Sequence, residues 1–144
     1  NKGEKHGVKK GDAVITQDAV VGYILEAHNL SSVVLVLTDR YSVIDAVLQT
    51  SRARGIVEGI GVDSCRLKYL QRSDEVNVGD LVVTSGLDNI FPKGIPIARV
   101  KSVSRKKSEI TPNVELSPVV DITRLDEVLV INNVNNQSLE AALQ

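Results

Sequence analysis

A serine nucleophile activated by a histidine is the first chemistry to weigh, because the chain carries Ser85 in a glycine turn, TSGL, and two histidines, His6 and His28. Such a site needs nucleophile, base and orienting acid within hydrogen-bond reach, with backbone amides aimed at the developing oxyanion. His6 lies in the charged stretch KGEKHG and is expected to be solvated, whereas His28, in EAHNLSS, follows a strand and is expected in a loop. Ser85 lacks the glycine-rich neighbourhood that arranges an oxyanion hole. A trypsin-like hydrolase with an unconventional site therefore stands only as the alternative to a non-enzymatic chain. Labelling by an active-site-directed serine probe, abolished in Ser85→Ala, is the result it requires.

Metal and phosphate chemistry find less support. Structural zinc wants clustered Cys and His, and Cys65, His6 and His28 are spread over about 60 positions. Asp12, Asp39, Asp45, Asp63 and Asp80 each fall at or near an expected strand end, where Asp is ordinary turn chemistry, and none has EF-hand spacing. GIVEGIGV matches neither the P-loop nor the dinucleotide fingerprint, so Gly55, Gly59 and Gly61 read as bulges or barrel corners. Cys65 alternates with Leu67 and Tyr69 against Arg66 and Lys68, the pattern of a small buried hydrophobe on a strand. No metal or cofactor is expected.

Composition indicates the framework on which these residues sit. Val and Ile together supply 34 of 144 residues, and their stiff β-branched side chains pack best on a pleated surface. A net charge of −1 and 3% aromatic residues supply neither the field nor the stacking faces that a nucleic acid requires. Arg105, Lys106 and Lys107 read instead as a solvated hairpin tip. No apolar run approaches the roughly 20 residues that span a bilayer, and no signal-peptide pattern opens the chain. NKGEKHGVKKGD reads as a segment leading into a folded domain, which leaves room for a membrane anchor upstream.

An internal echo organises the rest. VKKGDAVIT (8–16) and VNVGDLVVT (76–84) share Val-x-x-Gly-Asp-x-Val-[Ile/Val]-Thr at an offset of 68 residues. In each, Gly supplies the positive φ of a tight turn and Asp caps it before a Val-rich strand begins. A second strand follows each copy, VVGYILEA (20–27) and IPIARVKSV (95–103), and then a third, SSVVLVL (31–37) and NVELSPVV (113–120). Further strands are expected in 41–50, 53–63, 65–71 and 126–131, which makes some ten short strands and an all-β fold of sandwich or paired-barrel type. The only helical signal is SLEAALQ (138–144), with Ser138 as its cap, beyond the expected end of the folded part near Asn132.

The halves differ chiefly in one connector, SGLDNIFPKG against QDA. Gly86 and Gly94 bracket LDNIFPK, and Pro92 and Pro96 stiffen its exit into the next strand, so Ile90 and Phe91 sit on a constrained turn. A chain with a single Phe usually buries it, which predicts a plug in the open end of the second barrel. The other reading has Ile90 and Phe91 project as a partner-binding anchor. A lipoyl-type carrier shares the Gly-Asp turn but needs a modifiable Lys at a hairpin tip, flanked by small apolar or Met residues, which is not found.

Gly79-Asp80, then Thr84-Ser85-Gly86-Leu87, then Phe91-Pro92-x-Gly94-Ile95-Pro96, taken with NKGEKHGVKKGDAV, VVGYILEA, SSVVLVLTD and SRARGIVEG, resemble the extracytoplasmic β-domain of the rod-shape-determining MreC family over residues 1–131. Ala98 in IPIARV stands where the family often has Gly, a change that suits a strand. The resemblance implies two small β-barrels, the second inserted into the first, distantly similar to chymotrypsin-like proteases but without a triad. On that basis residues 1–49 plus 118–132 are expected to form the first barrel, 50–117 the second, and 133–144 a poorly ordered polar tail. It implies a non-enzymatic scaffold of the cell-elongation machinery, linking the cytoskeletal shape apparatus to peptidoglycan synthases and maintaining rod shape. The implied place is the extracytoplasmic face of the bacterial cytoplasmic membrane, reached through an upstream anchor absent from these residues. The implied partners are the elongation-specific class B penicillin-binding transpeptidase, MreD and other elongasome proteins, and further copies of the chain in dimers or filaments.

Overall fold

The computed structural model describes residues 2–16, 19–107, 110–121 and 129–131. The expected helix at 138–144, the polar tail and the first half of the strand at 126–131 lie outside these residues.

The β-branched segments form ten strands among the described residues: β1 (Ala13–Ile15), β2 (Val20–Ala27), β3 (Ser32–Val36), β4 (Val43–Leu48), β5 (Arg54–Gly61), β6 (Ser64–Lys68), β7 (Leu81–Thr84), β8 (Pro96–Ser104), β9 (Asn113–Pro118) and β10 (Leu129–Ile131). Six of them close into a barrel in the order β4-β5-β6-β9-β8-β7, and the other four form a sheet in the order β10-β1-β2-β3. Closure leaves the barrel without an edge strand to attract foreign chains. β10 lies beside β1, with Ile131 opposite Ala13, so the whole barrel is inserted in the sequence between β3 and β10. The all-β fold with an inserted barrel is thus as expected. β4, by contrast, lies within the 1–49 segment assigned to the first unit, yet it pairs with β5 and β7 as a stave of the six-stranded barrel. Its alternation shows which residues face a core, and cannot show which sheet that core belongs to.

The echo is structural as well as textual. Gly11 and Gly79 have φ of 91° and 92°. Asp12 Oδ2 accepts from Lys9 N at 2.8 Å and Asp80 Oδ2 accepts from Asn77 N at 2.9 Å. The turns dock identically on the second strand of each meander: Gly11 N donates to Ile24 O, and Gly79 N to Val100 O, each at 2.8 Å. Each Gly-Asp pair therefore reverses the chain and fixes the register of the strand it begins.

The two units share one core. Ala13, Ile15, Val20 and Leu37 of the sheet unit pack with Ile44, Leu48, Leu67, Ile97 and Leu116 of the barrel in a single buried cluster, while Val8, Val14, Val21 and Ile24 fill a second cluster on the sheet's other face. The connection between the units, Thr38–Ser42, lies directly on β5, where Gly59 N donates to Ser42 O at 3.2 Å and Gly61 N to Thr38 O at 2.8 Å.

Candidate functional site

The turn between β7 and β8 is held by side chains from three strands. β4 points Ile44, Ala46 and Leu48 into the barrel, which leaves Asp45 on the outside between two valines. Arg54 at the start of β5 grips this carboxylate with two prongs, Nε to Oδ1 at 3.1 Å and Nη2 to Oδ2 at 2.7 Å. Ser85 Oγ donates to the same Oδ1 at 2.8 Å, and Ser85 N donates to Asp45 O at 3.1 Å. Asp88 Oδ1 accepts from Ile90 N at 3.0 Å and Phe91 N at 3.3 Å. Its Oδ2 reaches Asp45 N at 3.4 Å. At the base, Thr84 Oγ1 donates to Pro92 O and accepts from Ile95 N. Short polar side chains thus satisfy the backbone groups that an irregular turn leaves unpaired.

Between these ties the chain folds Phe91 inward. Phe91 is 3% exposed and belongs to the shared core, and Ile90 is half-buried against the same cluster. That burial fits the plug and leaves Phe91 unavailable as a projecting anchor in this conformation. The apolar side chain that the turn does present is Leu87. Sequence reasoning missed Asp45, Arg54 and Asp88 as members of the site. The available signal was a carboxylate in the middle of the otherwise apolar run VIDAVL, where an acid with no partner would be costly.

The arrangement is built to hold shape, and its chemistry runs against nucleophilic activation. Hydrogen bonds from Arg54 outweigh burial and, with Ser85 adding, hold the Asp45 carboxyl below its ordinary 3.8. A carboxylate stabilised in this way is a poorer base, so the Ser85 proton stays on its oxygen. The histidines are engaged elsewhere: His6 Nδ1 accepts from Gly3 N at 3.1 Å, and His28 Nε2 lies 3.4 Å from Glu26 Oε2. Because Asp45 is more acidic folded than unfolded, the stabilisation from its ion pair is complete above pH 3.8 and is lost as the pH falls through the lower folded value. Acid titration of the parent and Asp45→Asn, followed by circular dichroism, is expected to show a shallower stability loss below about pH 4 in the variant.

Cys65, fully buried on β6, lies with Sγ 3.9 Å from Leu116 O, and burial pushes its thiol up to about 12. Thiolate is the reactive form. Ellman's reagent at pH 8 is expected to leave the native protein unlabelled and to modify the single thiol only after denaturation; rapid native labelling would contradict the burial of β6.

Fold and clamp together define an inserted barrel-and-sheet module whose polar cluster fixes the shape of a turn. The chain belongs to the MreC family: the family model for rod shape-determining protein MreC, barrel core, matches residues 1–132. The cell shape-determining protein MreC of Haemophilus influenzae is 37% identical over 132 residues, which cover 91% of this chain and 38% of that protein. The chain therefore spans about two fifths of that relative's length. Among solved structures, MreC from Pseudomonas aeruginosa superposes with a TM-score of 0.86 at 31% identity, covering 91% of this chain and 85% of that one. An MreC from Helicobacter pylori, solved in complex with penicillin-binding protein PBP2, has the same fold with a TM-score of 0.66 at 20% identity, over 82% of this chain and 74% of its own.

Proposed function

We propose that this chain is the extracytoplasmic part of a non-enzymatic scaffold that holds peptidoglycan synthases to the cell-shape apparatus. The observation that carries the reading is the Helicobacter pylori complex, in which a chain of this fold is bound to a penicillin-binding protein. The proposed partners are the elongation-specific class B transpeptidase, MreD and further copies of the chain, and the proposed place is the outer face of the cytoplasmic membrane. Membership in a family named for determining cell shape supports this. So does the clamp, which spends its serine and its acids on a turn.

A scaffold acts by presenting a fixed surface, and any activation of the synthase requires tighter binding to its active conformation than to its inactive one. The test is binding of the purified chain to the extracytoplasmic domain of the same organism's class B transpeptidase, by biolayer interferometry. Saturable binding with a dissociation constant of about micromolar or tighter is expected. A folded chain that shows no binding overturns the reading.

A further inference from the structure

The hairpin joining β5 and β6 turns at Val62 and Asp63, whose φ values are 49° and 55°. Two consecutive left-handed residues give the type I′ geometry of a two-residue hairpin, for which Asn-Gly is the ordinary choice. A β-branched residue in that region crowds its own backbone. Val62 is also 96% exposed, so no contact within the chain offsets the strain. The Asp63 carboxylate beside it has no hydrogen-bond or ion-pair partner among the described residues. Strain carried by an exposed apolar residue points to a contact made outside the chain.

The complementary surface lies on the sheet unit. A groove of about 610 Å³ runs between Gly7–Lys10 and Leu25–His28. Val8, Leu25 and Ala27 supply its apolar lining, and Lys9 and Lys10 line it too, without an ion pair among the described residues. Glu4 and Glu26 border it too; Glu26 lies 3.4 Å from His28, and neither carboxylate forms an ion pair with Lys9 or Lys10, so both ammonium groups stay available to an incoming carboxylate. The exposure of Val62 means that the tip does not occupy its own chain's groove.

We propose that the Val62–Asp63 tip of one copy seats in the groove of a second copy, Val62 against Leu25 and Ala27, with Asp63 beside Lys9 and Lys10. This rests on the self-association included in the proposed function and names its surfaces. Knob and groove are different patches, so the contact is heterologous: every pair leaves one free knob and one free groove, and copies add head to tail into a ring or an open filament.

Sedimentation over a concentration series tests it. Val62→Asn, which suits the left-handed turn, is expected to melt no lower than the parent while weakening self-association about tenfold or more. Lys9→Glu with Lys10→Glu in one chain should weaken it similarly. The decisive arm mixes these two variants: one keeps its groove and the other its knob, so they are expected to form a one-to-one dimer that grows no further. Self-association of Val62→Asn within about threefold of the parent overturns the proposal. So does failure of the mixed variants to pair, and so does a parent that stays monomeric up to about 1 mM. Transpeptidase binding, measured on the same proteins, is expected to be unchanged, and its absence from the parent would sink the scaffold reading while leaving the knob and groove to their own result.

Discussion

Phe91→Ala is expected to destabilise the protein by about 3–5 kcal/mol, the range for truncating a buried aromatic, and to lower the melting midpoint by about 10–20 °C. Phe91 is the only Phe of the chain, packs in the core shared by the two units, and sits on a turn that its neighbours fix from both sides. Thr84 ties the base of the turn, Asp88 accepts the Phe91 amide, and the Asp45–Arg54 pair anchors Ser85 to the barrel wall. A turn so held cannot collapse into the space that the ring vacates, which places the cost toward the upper end. Leu87→Ala on the same turn is the control; its side chain is 61% exposed, and a change within about 0.5 kcal/mol is expected. A loss below about 1 kcal/mol for Phe91→Ala, by chemical denaturation, would falsify the wedge.

Gly59→Ala is expected to be of similar or greater severity, about 3 kcal/mol or more, although it adds a single methyl group. A Cβ at this position would lie 2.0 Å from Asp39 O and 2.4 Å from Thr38 C, both backbone atoms of the connection between the units. Neither can yield without lifting Thr38–Ser42 from β5 and breaking the hydrogen bonds that Gly59 N and Gly61 N make to it. Gly79 gives the contrast. It needs its positive φ, but an added Cβ there meets nothing within 4 Å, so Gly79→Ala should cost only about 1 kcal/mol of backbone strain. Equal losses at the two positions would show that the connection is not pinned in this way.

The features legible in the chain are those that repeat locally. The Gly-Asp pairs announce two turns, and the apolar run that opens VVGYILEA marks β2 to the residue, because a strand whose first half is buried on both faces reads as a continuous apolar stretch and not as an alternation. Burial of Phe91 follows from its rarity and size. The clamp is hidden because its members are distant in the chain: Asp45 meets Ser85 across 40 residues, and only closure of the barrel, with β4 between β5 and β7, brings them together. β4 looks like a strand of the first unit for the same reason. Val62 is hidden differently, since nothing in GIGVDS signals a left-handed valine.

The pairing of β10 with β1 has a mechanical consequence. Ala13 at the start of β1 lies opposite Ile131 at the end of β10, so these two residues stand side by side at one end of the same two-strand ribbon. A pull exerted through both would open that ribbon like a zipper, hydrogen bond by hydrogen bond, instead of shearing all of them at once. The sheet is thus the soft element under such a load, and the closed cylinder, whose staves never bear the tension first, would keep its form while the ribbon parts.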